Sequence, residues 1–243
     1  MPRLLEQANE RRKSRAAARR SRRLPIRSRV ARLRSAHSYR SVLVFILVTF
    51  LFVELAGDGR WTTSVLLLLQ SGTLAAAMWT SGLAPADSKL LLAQLALAVV
   101  LAIAAPLAAG NGVVGAAGIV SGVLAIATIA VIAVGVIDQA EVNAQSVTGA
   151  ICIYLLLGLL FMFLYSAIAL LGSGYFFHQG TDGTRSIRLY FSYVTLVTLG
   201  YGDYTPAANL GRTLAIVEAL IGQLYLVTVV ALLVSRVQRK PTD

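Results

Sequence analysis

The chain is predicted to be an all-α membrane protein of six transmembrane helices, with a re-entrant segment between the fifth and sixth. Three observations predict it. The apolar residues, 57% of 243, are gathered into long blocks almost free of charge, which is the pattern of membrane spans. The basic residues crowd at one end: 14 of the 22 Lys and Arg fall in the first 40 positions. The interval 172–206 is too polar to be a span, yet after Arg188 it is too hydrophobic to be a simple surface loop.

The six blocks are residues 41–57, 61–81, 88–109, 112–137, 146–172 and 208–235. Each has a length that a helix uses to cross about 30 Å of hydrocarbon, with tilt or overhang taking up the difference. The first is the shortest and is ended by Glu54 and the Gly57-Asp58-Gly59-Arg60 turn. The arginines before the first span hold that end cytoplasmic. Six crossings return the carboxyl end, with Arg236, Arg239 and Lys240, to the same side, and the re-entrant segment then opens from the outer face. A cleaved signal peptide does not fit, because a charged region of forty residues precedes the first apolar block and a second block follows within a few residues. The expected organisation is a basic cytoplasmic tail (1–40), a four-helix membrane unit (41–137), a second unit (146–236) holding the re-entrant segment, and a short cytoplasmic tail (237–243).

The fourth block reads GVVGAAGIVSGVLAIATIAVIAVGVI and contains no arginine. A helix that senses voltage moves several positive charges through the field, at about 2.3 kcal/mol per charge per 100 mV, so this one is not built for the task. Gly112, Gly115, Gly118 and Gly122 recur at helical spacing and predict close packing against a neighbouring helix.

In the amino-terminal tail, Arg19, Arg20, Arg22, Arg23, Arg27 and Arg29 would lie close to the inner membrane surface. Each can contribute about 1 kcal/mol near anionic lipid. Leu24, Ile26, Val30 and Leu33 interleave with arginines, so 26–36 reads as an amphipathic interfacial helix; the other reading is a disordered tail whose charge only fixes topology. Nucleic acid is not expected as a partner, because stacking aromatics are missing from the arginine runs. Cys152, the single cysteine, lies in an apolar block and is a packing residue. No nucleophile, base and metal-ligand set comes together, and His37 and His178 fall on opposite sides of the membrane. The chain is not expected to be an enzyme, and no cofactor is expected.

The chemistry concentrates in Thr198-Leu199-Gly200-Tyr201-Gly202-Asp203. A dehydrated cation needs several oxygens at short, regular spacing, and a strand whose successive carbonyls face one axis supplies them. Turning consecutive carbonyls the same way demands backbone angles that residues with a β-carbon resist, which assigns Gly200 and Gly202 their places. The Thr198 hydroxyl adds an innermost ligand. Leu199 and Tyr201 point away from the axis and pack behind the strand. Asp203 hydrogen-bonds behind it or offers charge at the mouth.

This hexapeptide has the pattern of a potassium-channel selectivity filter, and residues 146–236 resemble the two-helix pore module of that family. Tyr190-Phe191-Ser192-Tyr193-Val194-Thr195-Leu196-Val197-Thr198 is similar to the pore helix running into the filter threonine, Gly211-Arg212 to the opening of the last helix, and Gly222 to its hinge. The resemblance implies a re-entrant pore helix and selectivity-filter loop between the fifth and sixth helices. It implies potassium as the permeant ion, coordinated by the carbonyls of Thr198, Leu199, Gly200, Tyr201 and Gly202, and four chains around one axis. Two departures stand out: Leu199 where valine is commoner, and Val194 where some simple bacterial channels carry a glutamate paired with the filter aspartate.

Around the filter, Tyr190, Phe191 and Tyr193 would form an aromatic cuff or an interfacial belt, with the Tyr190 hydroxyl meeting Asp203, and Thr195 is a further residue expected to support the filter from a pore helix that ends near Val197. Glu218 either packs behind the pore helix and bonds to it, or faces the cavity as a cation attractor. Gln223, Leu226, Val230 and Val234 form the stripe expected to line the cavity and its cytoplasmic constriction. The function expected is passive potassium conduction by a homotetramer without an arginine-based voltage sensor. The alternative is a silent or regulatory subunit acting through assembly and its basic tail.

Overall fold

The structure is a computed structural model and describes residues 39–81, 89–107, 111–137 and 144–237. The described residues form seven helices: α1 (Arg40–Leu55), α2 (Arg60–Ser81), α3 (Lys89–Leu107), α4 (Asn111–Ile137), α5 (Ala144–Leu171), α6 (Arg185–Leu196) and α7 (Asn209–Val237). No strand occurs among them, only isolated bridges from Phe177 to Thr181 and to Pro206. Six helices coincide with the six apolar blocks to within two residues at each end, and α6 is the short helix of the interval between the last two blocks. By length and composition, Trp61–Ser81, Gly112–Ile137, Ala144–Leu171 and Asn209–Val229 suffice to cross a membrane. The helix α1 has 16 residues, and the apolar part of α3 is Leu92–Ala104.

These helices tolerate their few hydroxyl residues because the hydroxyls return to the backbone one turn earlier. Thr49, Ser71, Thr73, Thr80 and Thr128 each donate to the carbonyl four residues before, at 2.7 to 2.8 Å. A polar side chain satisfied within its own helix adds little cost in apolar surroundings.

The helix α2 packs on α1, α3 and α4, and α4 runs along α5. The glycine stripe of α4 explains that second contact. A β-carbon at Gly115 would overlap the side chain of Leu171, one at Gly118 would stand 3.4 Å from the carbonyl oxygen of Phe163, and one at Gly122 would meet Leu160 at 3.7 Å; Gly112 has open space around it. Gly118 therefore lets the two backbones approach and Gly115 makes room for Leu171, whereas Gly122 would take a β-carbon at ordinary contact distance and Gly112 has nothing opposite it. Tyr39, fully buried, closes the other end of the bundle. Its hydroxyl lies 3.3 Å from Ser81 Oγ, which donates to the Val131 carbonyl at 3.0 Å. Cys152 is a free, buried thiol whose Sγ lies 3.9 Å from the Tyr39 carbonyl.

The last three helices are built on α5, most of whose residues from Cys152 to Ala169 are buried. One face of α6 lies on α5, and α7 touches both. The helix α7 is covered on one narrow stripe only: Gly211, Glu218 and Gly222 are buried, whereas Ile216, Leu220, Leu224 and Val227 are 57 to 66% exposed.

Replacing Gly118 by Leu should force α4 off α5, at a cost of about 1–3 kcal/mol typical of overpacking. Thermal unfolding in detergent should show a clear fall in midpoint for Gly118→Leu and none for Gly112→Leu.

Candidate ion-conducting site

The site is the loop between α6 and α7, and its shape begins with the start of α6. Thr184 caps that helix, its hydroxyl accepting from the Ile187 N–H at 3.2 Å. Twelve residues later the helix ends under the loop it supports. The Val197 N–H donates to the Tyr193 carbonyl at 3.0 Å and the Thr198 N–H to the Thr195 carbonyl at 2.9 Å, while the Val194 carbonyl accepts from both Leu199 (2.9 Å) and Gly200 (3.3 Å). Four consecutive residues of the loop are thus tied to the last turn of α6.

Beyond that tie the backbone alternates in hand. Thr198 (φ 56°), Gly200 (φ 55°) and Gly202 (φ 77°) are left-handed, with Leu199 and Tyr201 between them in the ordinary range. Alternation of this kind is the backbone condition for successive carbonyls to face one side. The sequence points to the two glycines, but Thr198 shares the conformation without their freedom. A β-branched residue there costs on the order of 1–3 kcal/mol, and its surroundings hold it: the N–H is bonded to Thr195, and the side-chain Oγ1 accepts from Gln223 Nε2 at 2.8 Å.

At the other end of the loop, Tyr190 donates to Asp203 Oδ2 at 2.8 Å and its ring lies parallel to that of Tyr201, centroids 6.5 Å apart. The hydrogen bond to Asp203 is the first cause that pushes the Tyr190 phenol up to about 12, so it remains a donor throughout the neutral range. Gln179 Nε2 donates to the Asp203 carbonyl at 2.7 Å. The segment after the loop is pinned by His178 N–H to Thr205 and Ala207 N–H to Phe176, both 2.8 Å.

The three aromatic residues of α6 expected as a cuff are divided among three directions, because successive helical positions are turned by about 100°. Of their side chains, that of Tyr190 is the one that reaches the loop. Phe191 is buried among Tyr165, Phe176 and Phe177. Tyr193 lies across Gly158 of α5, where a β-carbon would overlap its ring; its hydroxyl donates to the Leu155 carbonyl at 2.6 Å and its ring meets Phe50 edge-on at 5.4 Å. Leu199, expected to pack behind the strand, is 54% exposed in the single chain, and Tyr201 is 65% exposed.

Glu218 lies between α5, α6 and α7 in the single chain. Glu218 is fully buried. Its carboxylate accepts from Tyr165 Oη at 2.6 Å and from Ser192 Oγ at 2.5 Å, so it joins α7 to both α5 and α6. Ser192 Oγ also stands 2.8 Å from the Gly158 carbonyl. One turn along α7, a β-carbon at Gly222 would overlap the carbonyl oxygen and side chain of Leu196. The glycine is where α7 passes against the end of α6, a packing reason beside the hinge that the resemblance implied.

Gln223 reaches the loop through Thr198, and Leu226 is 39% exposed on α7. Val230 and Val234 belong to α7, but their side chains lie outside the described residues, as do Arg19, Arg20, Arg22, Arg23, Arg27 and Arg29. Two arginines of α6 were not singled out from the sequence. Arg188 is buried, with Nε donating to Ser166 Oγ at 2.9 Å and Nη1 to the carbonyls of Asp182 (2.8 Å) and Gly183 (2.7 Å). Burial pulls its guanidinium down to about 10, which still leaves it charged at neutral pH. Arg185 reaches across to the start of α2. The available signal was the capped start at Thr184, which puts both residues in the first turn of a helix whose other faces are buried.

Residues 149–239 match a family model described as ion channel. A stretch of 46 residues is 48% identical to a protein of Methanocaldococcus jannaschii described as probable potassium channel protein 2. Over this segment the chain is similar to ion channels, a potassium channel among them. The identical stretch covers 18% of this chain and 13% of that relative's length. No solved structure matches the chain.

Removing the Glu218 side chain leaves the buried Tyr165 hydroxyl without its acceptor, at about 1–3 kcal/mol, while Ser192 keeps the Gly158 carbonyl. Glu218→Ala should lower the thermal midpoint of the detergent-solubilised protein well below that of Glu218→Gln, which keeps an acceptor and the shape.

Proposed function

We propose that the chain is the subunit of a homotetrameric, potassium-selective channel that conducts passively through Thr198, Leu199, Gly200, Tyr201 and Gly202. The observation that carries the reading is the alternation of left-handed residues at 198, 200 and 202 in a loop bonded to the end of a short helix. Bare carbonyls along such a strand replace the water around a dehydrated cation. The end of α6 adds the partial negative charge of a helix C-terminus beneath them.

One strand surrounds nothing, so four must meet about an axis. Exposure in the single chain supports this: the loop from Val197 to Asp203 and the apolar face of α7 carrying Leu220, Leu224 and Val227 have no cover within the subunit. In this reading α1 to α5 and α7 cross the plasma membrane, α6 is the re-entrant pore helix, and both ends are cytoplasmic. The first four helices form a unit without sensor arginines, and Asp203 and Tyr190 brace the outer end of the filter. Gln223 and Leu226 line the inner cavity with Val230 and Val234, and the arginines of residues 19–29 meet anionic lipid.

Purified chain in liposomes should pass potassium far faster than sodium, read by a flux assay for each ion. Equal rates would remove the selectivity, and Gly200→Ala should lower the flux because a β-carbon strains the left-handed angle there; undiminished flux would remove the filter assignment. A tetramer that never conducts would support the silent-subunit reading instead.

A further inference from the structure

The N-terminal turn of α6 is gripped from outside the last three helices. Arg185 Nη1 donates to the Thr62 hydroxyl and, at 3.4 Å, to the Gly59 carbonyl; Nη2 donates to the Thr63 hydroxyl at 2.5 Å. The backbone N–H of Arg185 lies 3.2 and 3.3 Å from the two carboxylate oxygens of Asp58, and its guanidinium is 4.0 Å from the same group. Beside it, Ser186 Oγ donates to Glu54 Oε2 at 2.6 Å. All these acceptors belong to the end of α1, the turn after it, or the first residues of α2. A carboxylate at the exposed N–H end of a helix is favourable in itself, and the fork of an arginine fixes direction as well as distance.

The rest of the contact between α1 and α6 is sparse. Phe50 against Tyr193 makes one junction, and an open groove of about 640 Å³ runs beside the two helices, lined by residues including Phe50, Glu54, Ser186, Tyr190 and Val194. Holding therefore falls largely on the Arg185 end. From there a rigid helix of 12 residues runs to Val194, whose carbonyl receives the N–H groups of Leu199 and Gly200.

We propose that the turn between α1 and α2 is a brace for the filter of its own chain, with Arg185 as the positioning residue through which the first four helices hold the pore helix in register. The role requires no charge to move through the membrane, which fits an α4 without arginine. It rests on the channel reading above.

The test uses the full chain in two arms. In planar bilayers, Arg185→Ala should lower the potassium-to-sodium permeability ratio at least several-fold while size-exclusion chromatography still shows the assembly of the unmodified chain. A Glu54→Cys/Ser186→Cys pair bridged by a short bis-thiosulfonate reagent should restore the ratio in that background, and lose it again on reduction. An unchanged ratio, or no recovery on bridging, overturns the brace. If Arg185→Ala does not assemble, Thr62→Val/Thr63→Val removes the hydroxyl acceptors and is read in the same way. The second arm needs no conduction: bridging the cysteine pair should give a band of single-chain size on denaturing gels. A ladder of linked chains would overturn the own-chain assignment whatever the pore does, whereas an intramolecular bridge in a chain that does not discriminate potassium would fault the channel reading alone.

Discussion

The constraint on which the site depends is the carbonyl of Val194. Two loop N–H groups, from Leu199 and Gly200, converge on this one acceptor at the end of α6, and that convergence holds the following residues in alternating hand. Without it Thr198 would have no reason to occupy a conformation that its branched side chain disfavours. Strain of that kind persists only where neighbours over-determine it, and here they do so from below through Thr195, from the side through Gln223, and from beyond through Tyr190 and Asp203.

Everything around α6 then acts to keep that helix still. Glu218 and Ser192 join it to α7, Tyr193 lies across Gly158 of α5, Arg188 binds Ser166 of α5 and the loop carbonyls before the helix, and Arg185 joins it to the turn after α1. Polar groups at such depth are tolerated only when bonded, so each also fixes an orientation. The apolar contacts of α4 with α5, permitted by glycine, supply area; the hydrogen bonds around α6 supply register.

The helices themselves were legible. Long uncharged blocks separated by turn residues fix helix extents to within two residues, because an apolar chain must satisfy its backbone within each segment. The glycine spacing of α4 also translated into a contact, except at Gly112, which sits at the helix start with nothing opposite it. The partners of Glu218 were half legible: helical spacing puts it on one face with Gly222 and Tyr225, but Tyr165 and Ser192 lie 53 and 26 residues away in sequence. The direction of Phe191 was not legible, since a cuff of neighbouring aromatics is a pattern of letters and a helix turns each letter elsewhere.

By itself the sequence determined the α-helical class, the extent of the blocks and the lack of arginine in the fourth, and it pointed to residues 198–203. These are local properties, set by hydropathy over a window and by which residues accept which backbone angles. Only the tertiary structure decided that Thr198 joins the glycines in left-handed geometry, that Glu218 is bonded to both α5 and α6, and that Arg185 of α6 meets the turn between α1 and α2. Those facts depend on residues far apart in the chain meeting at hydrogen-bond distance, and no spacing within one segment encodes that meeting.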